Sequence, residues 1–337
     1  MKLLTIAVPS YNSEAYLETC LGSLLAVGGD AVEILVVDDG SKDQTAAIAD
    51  RYAQEYPGRV VAIHQENGGH GEAVNAGLRH ATGLYFKVVD SDDWLDPGAF
   101  AQVCDLLRSF ADDPAPVDLL VTNFVFEKVG VRHKKVMDYR RVLPMGRRFT
   151  WSEARPFRLG QYLMMHSLLY RTQVLRDSGL VLPKHTFYCD NLFVFIPLDF
   201  VHSLYYADVD FYRYFIGRVD QSVNETVMLK RIDQQLRVNT LMVTHQRLDQ
   251  VPDPTVRQLK FHQLEIVTAI SSMFLIRSGT PEHLALRDQL WDRIEAFDPA
   301  LGLRLRKRFL GRLTRGQWGR WVAVTLYGVA HRLFGFN

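Results

Sequence analysis

Cysteine is scarce: the 337-residue chain has three, Cys20, Cys104 and Cys189, odd in number, far apart and without a CxxC pair. That excludes a disulfide framework and a thiolate zinc site, and it fits a reducing compartment. Long hydrophobic runs are lacking too. No stretch reaches the roughly 17–25 apolar residues of a spanning helix. The opening run of MKLLTIAVPSYN, broken at Pro9, falls short of a signal-peptide core of about 7–15 residues. The expectation is a cytoplasmic chain that does not cross a bilayer. Charge of one sign is also missing, since 39 basic and 38 acidic side chains leave a net +1. Such a balance argues against a protein that coats nucleic acid. There is no GxxxxGK[ST] loop, and Gly68-Gly69-His70-Gly71 lacks the third glycine of a dinucleotide fingerprint. Both absences disfavour P-loop phosphotransfer and dehydrogenase chemistry.

What is present is an ordinary globular composition, 47% apolar and 11% aromatic, long enough for one large domain or two moderate ones. The first hundred residues alternate two patterns. Leu3–Val8, Val32–Val37, Val60–Ile63 and Leu84–Val89 are short, β-branched and mainly apolar rather than alternating, which predicts strands covered on both faces. Helical patterns lie between them: Glu14–Ala26 after the possible cap Ser13, Gln44–Tyr56 after Asp43, and Glu72–His80 after the glycine-rich turn. Strand–helix repetition of this kind implies right-handed crossovers and a parallel, Rossmann-like α/β sheet.

From Asp118 the pattern changes. Leu119–Phe126 and Val131–Met137 read as a hairpin about Val129-Gly130, and Met164–Tyr170 as a further strand. Thr172–Ser178 reads as a short helix closed by Gly179, Asp190–Phe200 as a helix despite Pro197, and Ser203–Phe215 as aromatic-rich edge strands. After Asn224 only helices are expected: Glu225–Leu248, Thr255–Ser278, Pro281–Phe297 and Leu301–Phe336. The expected organisation is therefore a catalytic domain over 1–222, with halves 1–110 and 111–222, followed by a helical region over 223–337.

Ligands of open α/β sheets sit beyond the carboxyl ends of the strands. Here each of the first four strands ends in polar residues: Pro9-Ser10-Tyr11-Asn12, Asp38-Asp39-Gly40-Ser41, Glu66-Asn67-Gly68-Gly69 and Asp90-Ser91-Asp92-Asp93. Any one alone could be a capped turn. Three carboxylates in four residues, however, repel one another unless a cation joins them. Oxygen ligands suit Mg²⁺ or Mn²⁺, which complete their shells with phosphates and water. A nucleoside diphosphate held through a metal is the implied ligand.

These residues resemble the family 2 glycosyltransferases of GT-A fold. The match runs through Thr5–Asn12, Val36–Asp43, Asn67-Gly68-Gly69 with Ala73–Gly77, and Asp90–Asp93. It covers residues 1 to about 110 strongly and continues more weakly to about 222. The resemblance implies a GT-A mixed sheet with helices on both faces. It also implies inverting transfer of a sugar from a nucleotide-diphosphate sugar, UDP favoured, to a hydroxyl acceptor. By motif, Pro9 and Tyr11 would shape the nucleoside pocket, and Asp39, with Asp38 as second choice, would bind uridine or ribose. Asn67 and Asn75 would line the donor. Asp92 would be the first metal ligand, Asp90 a ribose or metal contact, and Asp93 a supporting or acceptor group. The family's base is usually the aspartate of a Glu-Asp pair before a helix. Here the stretch is Phe187-Tyr188-Cys189-Asp190-Asn191, so Asp190 fits and Cys189 stands for the glutamate.

Tyr212-Arg213-Tyr214 with Arg218 resembles a loop that reaches diphosphate or acceptor, and forked arginines suit phosphate. His166 lies where relatives contact acceptor sugar. Lys87, inside an apolar strand, suggests reach toward the donor from beneath, and His70 suggests a phosphate contact. QxxRW is absent from this stretch, which disfavours processive synthesis. A sugar-phosphate nucleotidyltransferase or a non-catalytic nucleotide-sugar or glycan-binding module are the competing classes.

Residues 301–337 hold eight basic side chains and no acidic one, leaving 31 basic against 38 acidic over 1–300. The neutral total thus joins a body of −7 to a tail of +8. Trp318, Trp321, Val322, Val329, Leu333 and Phe336 recur at helical spacing, as in a basic amphipathic helix on an anionic membrane surface. A cell-envelope or lipid-linked glycan acceptor fits that placement.

Overall fold

The computed structural model describes residues 2–131, 134–157, 161–216 and 225–308, without the side chains of 225 and 226. The chain divides into two compact units, Met1–Ile216 and Gly217–Asn337.

In the first unit, β1 (Leu4–Ser10), α1 (Leu17–Leu25), β2 (Val32–Asp38), α2 (Thr45–Glu55), β3 (Val60–His64), α3 (His70–His80) and β4 (Tyr85–Val88) follow the expected alternation. The strands pair in parallel in the order β3-β2-β1-β4. Every residue of β1 and β2 is buried, as their mainly apolar runs require, each buried Val, Leu or Ile contributing about 1.5–3 kcal/mol. β3 departs from expectation because it is an edge strand: Val61 is 43% exposed.

The sheet continues through β5 (Trp94–Leu95), α4 (Pro97–Ala111), β6 (Leu119–Lys128), β7 (Lys135–Met137), β8 (Arg148–Phe149), β9 (Leu168–Arg171), α5 (Thr172–Asp177), α6 (Asp190–Phe195) and β10 (Leu204–Ile216). β9 is antiparallel to both β4 and β6, so the whole sheet is mixed, in the order β3-β2-β1-β4-β9-β6-β10-β5. β6 and β7 form the expected antiparallel pair. Three local expectations are corrected. Ser203–Phe215 is not a set of edge strands but one 13-residue strand with β6 on one side and β8 and β5 on the other. The start of Met164–Tyr170 is a short 3-10 turn, Met165–Ser167, before β9. Pro197 ends α6 and opens another 3-10 turn, as its missing N–H dictates.

The second unit is helical: α7 (Glu225–Lys230), α8 (Ile232–His245), α9 (Pro254–Ser278), α10 (Pro281–Phe297) and α11 (Pro299–Lys307). The expected helix Glu225–Leu248 is broken at Arg231, which has a non-helical backbone. Asp253, Thr280 and Asp298 cap α9, α10 and α11, each with proline at the first helical position. Inside the unit, Asn239 of α8 donates to Thr268 and Ser271 of α9. α9 is long and apolar enough to span a membrane, but 78% of its most apolar window is buried in the protein, as in a core helix. The expected helix Leu301–Phe336 instead ends at Lys307, where Arg308 turns extended (ψ 157°); 309–337 lies outside the described residues.

Candidate active site

Parallel pairing of β2, β1 and β4 brings Asp38, Ser10 and the Asp90–Asp93 turn to one edge of the sheet. The loops there are stitched together. Asn12, in a left-handed conformation, accepts from Lys42 N and donates its own N–H to Ser41 Oγ. Ser13 Oγ meets Ser91 Oγ at 2.7 Å. Pro9 is buried in β1, while Tyr11 stands 48% exposed at its end.

Several candidate donor residues turn out to hold loops. Asp39 accepts from Gln65 Nε2 and Gly68 N on one oxygen and from Gly69 N on the other. Asn67 donates to the Asp39 carbonyl. Asp38 accepts from Ser41 N at 3.1 Å and faces His64 Nδ1 at 3.1 Å. The Asn75 amide is bound to Glu72 and, in both directions, to the Leu182 backbone. These contacts dock the glycine turn and the 182–189 segment onto α3. Gly69 (φ 84°) and Gly71 are required there. A Cβ on Gly69 would stand 2.9 Å from His185 N, and one on Gly71 would stand 2.9 Å from the Pro183 carbonyl.

The acidic turn is the centre of the site. His70, at the head of α3, places Nε2 2.8 Å from Asp90 Oδ1 and Nδ1 3.7 Å from Cys189 Sγ. Burial opposes protonation of His70, but the adjacent Asp90 carboxylate outweighs it and holds the ring well above 6.5. Asp93 accepts from Tyr212 OH at 2.5 Å and from Phe215 N at 2.7 Å, tying the turn to β10. Burial, then Asp92 and Asp90, push its carboxyl well above the usual range. Asp92 is partly buried on the same turn.

Beneath the turn, Lys87 is wholly buried and donates to the carbonyls of Met165 (3.0 Å) and His166 (2.6 Å). It braces this 3-10 turn rather than reaching a donor. Burial pulls its amine down to about 7. His166 projects from that turn, 4% exposed, with Nε2 3.8 Å from Asp90 Oδ2 and 3.9 Å from Asp93 Oδ2. Burial pulls His166 to about 4, so its ring is neutral. The ligand atoms of Asp90, Asp93 and His166 all lie within 4.8 Å of one another. Two carboxylates and a neutral imidazole at that spacing fit a divalent cation.

Asp190 opens α6 behind Tyr188, whose φ of 65° bends the chain. Burial raises its carboxyl above the ordinary 3.8, while His70 lowers it and Asp90 raises it. Both Asp90 and Asp190 therefore feel the same imidazole. Arg213 is occupied elsewhere, paired with Asp96 at 2.9 Å and Glu127 at 3.2 Å. Arg218 lies outside the described residues. The brace from Tyr212 to Asp93 was not expected. Its only sequence signal is the Tyr212-Arg213-Tyr214 run.

The family model for glycosyl transferase family 2 matches residues 5–172, which include the glycine turn and the acidic turn. The chain belongs to glycosyltransferase family 2. EpsH of Bacillus subtilis is 39% identical over 136 residues, 40% of this chain and 36% of that protein. The minor teichoic acid biosynthesis protein GgaB of the same organism is 32% identical over 124 residues, 36% of this chain and 13% of that protein. The aligned regions thus cover 36% of one of these curated relatives and 13% of the other. S. aureus TarS 1-349, solved in complex with UDP-GlcNAc, superposes with a TM-score of 0.68 at 20% identity. It covers 99% of this chain and 92% of that one. At that identity the likeness establishes the fold: the GT-A mixed sheet followed by a helical region.

Proposed function

We propose that this glycosyltransferase moves a single hexosyl unit, with inversion, from a UDP-sugar to a hydroxyl of a cell-envelope or lipid-linked glycan. The observation that carries the reading is the meeting of the Asp90–Asp93 turn, His70 and the Asp190 segment at the carboxyl edge of the parallel strands. Ligand-bearing crevices form at that edge. A UDP-sugar is favoured because the TarS structure of the same fold carries UDP-GlcNAc, and an envelope acceptor because GgaB belongs to teichoic acid biosynthesis.

Asp90 with Asp92 or Asp93 would hold a divalent cation, Mn²⁺ or Mg²⁺, which when bound would supply charge neutralisation for a diphosphate leaving group. Asp190 takes the proton of the attacking hydroxyl. Its raised pKa improves it as a base near neutral pH. His70 fixes the Asp90 carboxylate and contributes positive charge between the donor and base carboxylates. Tyr11, exposed at the end of β1, flanks the nucleoside side. The domain of this activity spans residues 1–222. The basic residues of 301–337 hold the protein against the cytoplasmic face of an anionic membrane, so their deletion should release it from anionic liposomes.

The test is a panel of nucleotide sugars incubated with the full chain and Mn²⁺, scored for nucleotide release with and without glycan acceptors. Release of UDP from one or a few UDP-sugars supports the reading. Pyrophosphate release from a nucleoside triphosphate and a sugar phosphate would replace it with nucleotidyl transfer. Binding without turnover of any donor would replace it with a binding module.

A further inference from the structure

Among the described residues, His166 is an anomaly: a buried imidazole with no hydrogen-bond partner on either ring nitrogen. Buried polar atoms are nearly always paired, and the exceptions mark an absent water, ion or ligand. The ring is also fixed. Lys87 clamps the carbonyls of its own turn, and Tyr139 OH donates to the neighbouring Ser167 Oγ at 3.0 Å. Phe124, Tyr212 and Tyr214 wall the imidazole, with centroids 5.6, 4.7 and 4.4 Å away. A ring held this firmly keeps Nε2 aimed at one place.

That place lies between two carboxylates. Asp90 has one oxygen on His70 and turns the other toward His166. Asp93 has one oxygen on Phe215 N and turns the other, already accepting from Tyr212, toward the same point. The separations of 3.8 and 3.9 Å are too long for hydrogen bonds. They suit ligands sharing a small ion, each roughly 2.0–2.2 Å from it.

We infer that His166 Nε2 is a ligand of a divalent cation bound between Asp90 and Asp93, giving the site a mixed nitrogen and oxygen ligand set. The inference deepens the reading above, whose motif-based cation site is made of aspartates alone. An imidazole ligand suits Co²⁺ or Zn²⁺ better than Mg²⁺ or Ca²⁺, which prefer oxygen; Mn²⁺ shares that preference for oxygen but accepts one nitrogen beside carboxylates. Lys87 thereby acquires a purpose as a positioning residue, because it fixes the turn that presents the imidazole.

Pulsed EPR on the full chain, with Mn²⁺ alone and with Mn²⁺ plus UDP, tests this. The expected result is Mn²⁺ with one directly coupled nitrogen in at least one of the two conditions. His166→Gln should abolish that coupling and weaken Mn²⁺ binding by at least about tenfold. His70→Gln should leave the coupling in place, since His70 bonds Asp90 and not the cation. Bound Mn²⁺ without nitrogen coupling, coupling that survives in His166→Gln, or no Mn²⁺ binding in either condition would overturn the assignment. The first of these would leave an ordered water as the partner of His166. The measurement needs no sugar transfer. Donor turnover without nitrogen-coupled Mn²⁺ defeats only this inference, and nitrogen-coupled Mn²⁺ without turnover of any donor defeats only the proposed activity.

Discussion

His70 Nε2 lies 2.8 Å from Asp90 Oδ1, and the same ring reaches Cys189 Sγ, the residue before Asp190, with its other nitrogen. One side chain at the start of α3 therefore touches both the acidic turn and the segment that carries the candidate base. His70→Phe should leave Asp90 without its donor and the two carboxylates without the charge between them. A loss of roughly 10–100-fold in kcat/KM is expected, the range for partners that orient ligand carboxylates. His70→Gln, which can still donate to Asp90, should recover part of it. Steady-state kinetics, with calorimetric UDP affinity alongside, would show this, and equal activity in all three proteins would remove the positioning role.

Asp190→Asn should reduce transfer by about 10²–10⁴-fold while sparing UDP affinity, as expected when a general base is removed. Since burial raises the Asp190 pKa above the ordinary 3.8, the acidic limb of the wild-type kcat/KM profile should lie above that value. Below the limb Asp190 is protonated and cannot accept the hydroxyl proton. A pH–rate profile and a donor-binding titration decide the matter, and turnover unchanged in the variant would assign the base elsewhere.

Two glycines give opposed expectations from their surroundings. A Cβ on Gly71 would meet the Pro183 carbonyl at 2.9 Å, Leu182 Cβ at 3.0 Å and Cys189 Sγ at 3.2 Å. Gly71→Ala should then cost about 1–3 kcal/mol by overpacking and should also lower activity, because the segment that must yield leads into Asp190. Gly22, inside α1, has nothing within 4 Å of the same atom. Gly22→Ala should be neutral or stabilise by about 0.4–1 kcal/mol. Urea unfolding of both variants, with activity at matched folded fraction, tests the pair.

Much of the candidate site's edge is readable from sequence because it depends on local patterns. Mainly apolar, β-branched runs demand cover on two faces, and each is followed by the polar residues that its carboxyl end must present. The roles of those residues are less readable. Asp38, Asp39, Asn67 and Asn75 hydrogen-bond neighbouring loops and the 182–189 segment. Only the folded pairing of strands distant in sequence shows this. Likewise, β10 looks like edge structure because it is rich in aromatic residues. Its partners β6, β8 and β5 come from three separate stretches of chain. The Lys87 brace needed Met165 and His166, nearly eighty residues on, to be brought beneath the acidic turn.

The buried Lys87 amine leaves a mark on stability. Its folded pKa is pulled by burial from the ordinary 10.5 down to about 7. Between these values the unfolded chain binds a proton that the folded chain does not, so rising pH favours the folded state. Below pH about 7 both states are protonated and the full cost of burying the charge is present; above 10.5 it is gone. In Lys87→Met that titration is absent. The stability of the wild type relative to Lys87→Met should therefore climb by up to roughly 1.4 kcal/mol per pH unit across this window and flatten on either side. Subtracting the two proteins cancels tyrosines and cysteines that titrate over the same range. Paired urea unfolding at pH 6, 7, 8, 9 and 10 measures the slope. A difference that stays constant with pH would mean that Lys87 keeps an ordinary pKa, and with it that the clamp on Met165 and His166 is open to water.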